Sequence, residues 1–479
     1  MENSQVHIKQ RGLMLFSNDL RLHDNPALAR AAEMCESLAC VYIVNPRWFE
    51  TDRFGCRHIG EHRWRFLLES LADLQASLMA LGQRLLVLQA EPRETIAALL
   101  DANRIDALFV SDHALDDCDQ AAVYYSNSLL CALEEVFPRL HIIRKQASTL
   151  FSQDNPALDL GDLPGSFTPF RTRVENLPTV KPIRAPITLP AILVLEQEAF
   201  AAGNREIDSY MRMERALDGR SSTHHGGENA ALEQLQQYFS PRNVDSGHSD
   251  ASQLPPVQYK DTRNALAGWL NSTKFSAWLA NGSLSVRTLK QALELFERNI
   301  SASESTYWIY FELLWREFFY WHTKRHSDRI FALEGVRSKK PLASFYPSRF
   351  KQWCEGTTIW PLVNAGMREL NATGYISNRM RQIVASCLVN ELQLDWRAGA
   401  RYFEQQLIDY DTSANWGNWQ YIAGVGADPR GGRHFNLKKQ AQIYDPDGSY
   451  AARWCKASEN RTPAMGIGDT VDAADWPIA

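Results

Sequence analysis

No stretch of this 479-residue chain approaches the ~20 consecutive apolar residues that span a bilayer. The opening residues, MENSQVHIKQRG, lack the apolar stretch of a secretory signal, so a cytoplasmic location without membrane contact is expected. The eight cysteines lie scattered at positions 35, 40, 56, 118, 131, 354, 387 and 455, with no C-x-x-C pair and no histidines at zinc spacing. That scatter argues against a disulfide framework or a structural zinc site and fits a reducing compartment. No G-x-G-x-x-G or G-x-x-x-x-G-K-S/T follows a candidate strand, so nothing marks an ordinary dinucleotide or nucleoside triphosphate site. A strong charge bias is missing too. With 51 basic against 56 acidic residues the net charge is -5, which excludes a uniformly basic nucleic-acid coat and leaves room for a local basic patch.

What is present is enough to fold. At 45% hydrophobic and 22% charged residues the chain can bury a core, and its length calls for two or three domains at about 100–200 residues each. Of 14 tryptophans only Trp48 and Trp64 precede Trp269, so the two halves differ in chemistry. Over residues 13–145 short apolar runs alternate with amphipathic stretches. Candidate strands are Leu13–Phe16, Leu38–Val44, Arg84–Leu88, Ala107–Ser111 and Leu140–Ile143. Between them Trp64, Leu67, Leu68, Leu71, Leu74, Leu78 and Leu81 recur at helical spacing, and a second helix is expected from Glu91-Pro92 with proline in its first turn. This alternation predicts a doubly wound parallel sheet. Seven of the 21 prolines fall between Pro156 and Pro190, which marks a connector, and beyond Tyr259 the pattern is helical almost throughout. The expected organisation is an α/β domain over residues 1–145, a linker over 146–205 and an all-helical domain over 206–479.

Several segments could carry chemistry, and each also has a plain structural reading. In YWIYFELLWREFFY (307–320), Glu312, Trp315, Arg316 and Phe319 share one helical face, a poor core stripe unless something polar binds there. The plain alternative is a solvated Glu312–Arg316 pair. Asn378, Arg381, Gln382 and Ala385 form a polar stripe among Ile376, Met380, Ile383, Val384, Cys387 and Leu388, which could equally face solvent. Asp409-Tyr410-Asp411 is a D-x-D pair of the kind that binds metal in sugar-nucleotide enzymes; such pairs are also common in loops and at helix N-caps, and no further acidic residues group with it. Residues 321–351 are locally basic, with eight Lys or Arg against Asp328 and Glu334 and with Trp321, Phe331, Phe345, Tyr346 and Phe350 interleaved. That composition suits a single-stranded nucleic-acid groove or a soluble surface loop. No Ser-His-Asp or Cys-His arrangement stands out.

Taken in order, these segments resemble the photolyase/cryptochrome family, most closely its DASH branch. The resemblance runs from LFSNDLRLHDNPAL (15–28) through GSFTPFRTRVE, GGENAAL, YKDTRN, STKFSAWLANGSLS (272–285) and LLWREFF. It is strongest in MRELNATGYISNRMRQIVASCLVNELQLDWRAGARYFEQQLIDYD and NWGNWQYIAGVGADPR. It implies an N-terminal α/β antenna domain, a long linker and a helical domain holding FAD. By residue matching, Tyr259, Arg263, Ser272, Thr273, Lys274, Phe275 and Ser276 would bind the flavin around its phosphates and ribityl chain. Arg316, Asn378, Arg381, Asp409 and Asp411 would line the isoalloxazine and adenine pocket, Arg381 would pair with Asp409, and Asn415 would face flavin N5. The implied reaction is light-driven: excited reduced flavin gives an electron to a cyclobutane pyrimidine dimer, the ring opens, and the electron returns. Glu312 would hydrogen-bond the pyrimidine edges and Trp315 would stack on the flipped lesion. Tyr421 and Gln382 stand where duplex-repairing relatives carry tryptophan and methionine, which implies a preference for lesions in single-stranded DNA. RNA is a further candidate partner, and a monomer is expected. Trp396 and Trp419 match the two flavin-proximal members of the chain that photoreduces the cofactor.

The chain also departs from the family pattern. The third, surface tryptophan of that electron-transfer chain should lie near Leu342–Ala343 and is missing, with Trp353, Trp360, Phe345 or Tyr346 as substitutes. Ser17 replaces an arginine before the DLR motif, Asn364 and Gly366 stand where an aspartate and a larger polar residue are common, and Trp360 replaces a smaller aromatic. Ala114 takes the place of the glutamate offered to a methenyltetrahydrofolate antenna, leaving Asp116 or Asp117 for that task. The reading is a DASH-type FAD photolyase acting on pyrimidine dimers. Its rival is a blue-light receptor whose flavin change alters a partner, and the intact Glu312–Trp315 face favours repair. A metal-dependent transferase built on the D-x-D pair is the third reading.

Overall fold

The computed structural model describes residues 10–112, 114, 127–196, 224–239, 251–339, 341, 343–428 and 430–455. The five apolar runs become strands β1 (Gln10–Phe16), β2 (Cys35–Val44), β3 (Leu85–Gln89), β4 (Ala107–Ser111) and β5 (His141–Lys145), all parallel in the order β3-β2-β1-β4-β5. A two-residue strand β6 (Ala191–Ile192) comes back from the linker to pair with the start of β2. Alternation along each strand sorts the side chains between two covered faces. Met14 and Phe16 point with Cys40, Tyr42 and Val44 into one apolar cluster, and Leu13 and Leu15 point with Val41 and Ile43 into the other. Helices α1 (Pro26–Met34) and α2 (Glu61–Ala80) cover the first face; α3 (Pro92–Ala102) and α4 (Asn127–Val136) cover the second. Pro92 opens α3 after Glu91, at the predicted place. The doubly wound sheet read from the alternation is the observed one.

The linker carries α5 (Phe167–Val174). The helical region then runs α6 (Glu228–Phe239), α7 (Pro255–Thr262), α8 (Ser276–Asn281), α9 (Val286–Asn299), α10 (Glu304–His326), α11 (Pro347–Glu355), α12 (Pro361–Thr373), α13 (Asn378–Ser386), α14 (Trp396–Gln406), α15 (Thr412–Ala423), α16 (Leu437–Tyr444) and α17 (Ser449–Trp454). Helix α10 is long because both ends are well made. Ser303 and Thr306 form a capping box at its start, and Lys324 and Arg325 complement the dipole at its end. Leu313, Leu314 and Phe318 bury one side of it in a cluster shared with α5 through α9. Among the described residues no helix is long and apolar enough to cross a membrane.

The two halves meet backbone to backbone. Gly282 follows α8 with φ +74°, and a Cβ there would lie 1.9 Å from the Asn18 carbonyl oxygen, so the approach requires glycine. Beside it the buried Arg21 donates to the carbonyls of Gly282, Asp24 and Ala147 at 2.8, 2.7 and 2.8 Å. Glu228 accepts the N–H groups of Leu22 and His23 at 2.8 and 3.0 Å. At a second patch the Glu404 carboxylate holds Arg401 at 2.9 Å and His58 at 2.7 Å. Ser17, where the family pattern has arginine, supplies Asp19 with a backbone N–H at 2.7 Å, and the Ser111 hydroxyl adds a bond at 2.6 Å. The DLR motif is therefore part of the joint between the halves.

Candidate cofactor and substrate cavity

Helices α10, α13, α14 and α15 surround a cavity of about 530 Å3, a size typical of small-molecule sites. Glu312, Trp315 and Phe319 reach it from α10, Asn378, Arg381 and Gln382 from α13, and Asp409, Asp411, Asn415, Trp419 and Tyr421 from α15 and the turn before it. Three separate stretches of sequence thus face one space. Helix α13 starts at Asn378 because the Ser377 hydroxyl caps it, accepting from the Met380 N–H. That start sends Met380, Ile383 and Val384 into the core, leaving the polar stripe on the cavity. Gly366 makes room on the core side, since a Cβ there would lie 2.4 Å from Met380 Sδ. Asn364 pins the turn before α12, accepting the Thr358 N–H at 2.8 Å and donating to the Thr358 carbonyl at 2.7 Å.

Most polar groups of the wall are paired with one another. Arg381 donates to Asp409 at 2.8 Å and to the Ile376 carbonyl at 3.0 Å. Burial opposes the Arg381 charge, and Asp409 and Tyr375 outweigh it, so its pKa rises above the ordinary value. The other carboxylate oxygen, Asp409 Oδ1, is buried without a hydrogen-bond partner among the described residues, an acceptor left for a ligand. Asp411 caps α15, accepting the Ala414 N–H at 2.8 Å. Asn415 donates to the Ala400 carbonyl at 3.0 Å. Burial pushes the Glu312 carboxyl up despite its ion pair with Arg263, and Arg263 in turn lies 4.5 Å over the Trp308 ring. Trp315 stacks on Phe167 of the linker helix, with centroids 3.7 Å apart and planes 9° from parallel, and meets Tyr421 edge-on at 5.9 Å. The Tyr421 hydroxyl accepts from Arg433 at 2.5 Å, and Asp428 holds Arg433 at 3.1 Å.

Other expected site residues lie elsewhere. Arg316 does not line the cavity; it donates to the carbonyls of Ser148 and Leu279 and fastens α10 to the linker. The intrahelical Glu312–Arg316 pair is accordingly not formed, since Glu312 takes Arg263. The segment Ser272, Thr273, Lys274, Phe275 and Ser276 is also outside this wall. Phe275 packs in the core against Tyr238 and Phe239, and the Thr273 carbonyl accepts from Gln234 at 3.2 Å. Tyr259 is buried one turn before the rim residue Arg263. Lys274, left-handed at φ +58°, reaches the Tyr375 ring at 4.9 Å, and Arg381 reaches the same ring at 5.3 Å, so this segment adjoins the cavity through Tyr375. Trp396 is buried behind the wall, donating to the Leu333 carbonyl at 3.1 Å. Ala114 packs against the apolar cluster around α10, while Asp116, Asp117 and Leu342 lie outside the described residues. Among the described residues no three metal-ligating side chains converge, and the D-x-D pair serves Arg381 and the α15 N-cap. Phe167, Arg379 and Arg433 were missed by sequence reasoning. Phe167 lay within a quoted motif, but no local periodicity could assign it a partner on α10.

Residues 12–187 match the family model described as DNA photolyase, and residues 308–470 match that of the FAD binding domain of DNA photolyase. A protein of Idiomarina loihiensis named Cryptochrome DASH is 44% identical over 472 residues, covering 98% of this chain and 96% of its own. Another of that name, from Vibrio parahaemolyticus, is 42% identical over 98% of each chain. Among solved structures a Synechocystis cryptochrome matches with a TM-score of 0.81 at 33% identity, covering 93% of this chain and 89% of its own. A class III photolyase of Agrobacterium tumefaciens matches with a TM-score of 0.74 at 26% identity, covering 95% and 88%. With both halves accounted for by photolyase domains and nearly the whole length shared with these relatives, the chain belongs to the photolyase/cryptochrome family, on its DASH branch.

Proposed function

We propose that this chain is a light-driven, FAD-dependent photolyase that splits cyclobutane pyrimidine dimers, preferentially in single-stranded DNA. One observation carries the reading: the Glu312–Trp315 face and the Asn378, Arg381, Asp409 and Asn415 group open on the same cavity. A flipped base and a flavin ring would share that space. The residues fit the cofactor. Asp409 Oδ1 is an unpaired buried acceptor, Arg381 is a charge-compensated donor beside it, and Lys274 brings a cation to the adjoining segment. Arg381, Asp409, Asn378 and Asn415 would hold the ring system, and Ser272, Thr273 and Lys274 the phosphates.

The chemistry the cofactor supplies when bound is one-electron donation to the dimer under light. The protein's part is positional. Pyrimidine edges carry both N–H donors and carbonyl acceptors, and a carboxyl shifted by burial toward its protonated form can serve either, which suits Glu312. Trp315, backed by Phe167, lines the cavity, and its indole would stack on the flipped base. Arg263, Arg379 and Arg433 on the cavity wall would meet backbone phosphates. Tyr421 and Gln382 make this cavity wider and more polar than an indole and a thioether would. A flipped dimer is then held less tightly, and the few kcal/mol needed to extract it from a duplex go unmet.

The test is blue-light repair of a thymine dimer in matched single-stranded and duplex oligonucleotides, with a dark control. Repair confined to the illuminated single strand supports the proposal. Absence of repair on both, by protein carrying reduced flavin, overturns it. Tyr421→Trp combined with Gln382→Met should gain activity on the duplex; no gain would remove the cavity explanation of strand preference.

A further inference from the structure

Trp419 lies on the cavity and Trp396 behind it, and the position of a third indole on the way to solvent is held by Ala343 and its neighbours. The aromatic contacts offer two ways outward. From Trp419 the rings lead to Trp353 at 6.2 Å, then Phe350 at 6.1 Å and Phe345 at 5.5 Å. Beyond its first step that branch continues through phenyl rings or through the Tyr402 phenol, 5.7 Å from Trp353, and both give up an electron less readily than indole. From Trp396 the next ring is Trp416, at 5.7 Å and 77°. Trp416 lines a recess of about 490 Å3 between the two halves, together with Arg53, Phe54 and Phe331. Arg401 lies 5.1 Å over its ring, and that guanidinium is answered by Glu404 at 2.9 Å and Asp52 at 3.6 Å. An indole that has lost an electron there does not face an uncompensated cation.

We propose that Trp416 is the terminal indole of the electron-transfer chain in this protein. After Trp419 gives up an electron under light, Trp396 refills Trp419, Trp416 refills Trp396, and a small thiolate reductant entering the recess refills Trp416. One electron moves inward at each step, no bond forms or breaks among the residues, and the thiolate is oxidised to a thiyl radical. The inference rests on the flavin-dependent reading above, which supplies the acceptor for the first electron.

The experiment compares flavin-loaded wild type, Trp416→Phe, Trp353→Phe and Trp396→Phe by flash photolysis, reading the lifetime of the tryptophan-radical absorption with and without dithiothreitol. Trp416→Phe should lose the long-lived, thiol-quenched radical down to the level of Trp396→Phe, while Trp353→Phe keeps it. A long-lived radical retained in Trp416→Phe and lost in Trp353→Phe overturns the proposal and assigns the Trp419 branch. Should Trp416→Phe not fold, Trp416→Tyr preserves a large ring, and a tyrosyl-radical band should replace the long-lived tryptophan band. An unchanged tryptophan band in that variant also overturns it. Repair by wild type reduced chemically in the dark reports on the photolyase reading separately. Its failure alongside a normal radical signal would sink repair and spare the chain.

Discussion

Glu317 is where burial and charge conflict most sharply in the helix that carries Glu312 and Trp315. Its side chain is fully buried and accepts the Leu150 N–H at 2.7 Å and the Trp321 indole N–H at 3.2 Å. Burial pushes its carboxyl from 4.5 up to about 7, against the pull of those two bonds and of Arg316 and Arg287. The folded protein therefore keeps this proton up to about pH 7, whereas the unfolded chain releases it near 4.5. Between those values the native state binds more protons, so stability falls as pH rises, and the whole cost is present above the window. At ~1.4 kcal/mol per pH unit the cost at pH 8 is roughly 3 kcal/mol. Glu317→Gln removes the charge at nearly constant shape and weakens one accepted hydrogen bond, worth about 1 kcal/mol. The variant should thus exceed the parent by about 2 kcal/mol at pH 8 and trail it by about 1 kcal/mol at pH 4.5. Urea denaturation of the flavin-loaded proteins at both pH values reads this directly. An equal effect of the substitution at the two values, or a larger loss at pH 8, would refute the reasoning, because the ionised carboxylate would then be the favoured form.

Two further substitutions probe the cavity. Asp409→Asn leaves Arg381 as a buried cation without its counter-charge, at a cost of about 3–5 kcal/mol, and the purified protein should carry less flavin per chain by absorbance. Full flavin content would argue that Asp409 does not face the cofactor. Gly399→Ala places a Cβ 2.2 Å from Trp419 Cη2, so that indole must move. Overpacking of this kind costs about 1–3 kcal/mol, seen as a lower urea midpoint with an altered near-ultraviolet circular dichroism. Unchanged values of both would mean that the ring yields freely.

The sheet was legible because its signal is local. Strands buried on both faces read as short continuous apolar runs, and the alternation within them, such as Leu13 and Leu15 against Met14 and Phe16, then sorts the two faces. The cavity face of α10 was legible for Glu312, Trp315 and Phe319, since helical spacing places them together. Spacing does not say where a long side chain ends. Arg316 shares that face on a helical projection yet reaches Ser148 and Leu279, and Glu312 is met by Arg263 from a different helix. Phe167 behind Trp315 and Trp416 beside Trp396 are likewise products of packing between elements, which no window along the chain contains. The D-x-D pair lay at the limit of what pattern can decide. N-cap and metal site were both open from the residues, and the start of α15 makes Asp411 a cap.

The joint around Gly282 and Arg21 also bears on how the protein comes apart. Separating the halves would strand the Glu228 carboxylate, which is buried and satisfied across the joint, and would take from the buried Arg21 guanidinium its Gly282 partner. Parting them costs several hydrogen bonds to charged groups at once, which approaches the ~5–15 kcal/mol that holds an ordinary domain together. The halves should therefore melt as one cooperative unit, with a single calorimetric peak; two well-separated peaks would show independent melting. A linker as proline-rich as this one has the length to serve as a hinge, and the joint withdraws that freedom, so that the sheet acts as a rigid brace for the helix that carries Glu312 and Trp315.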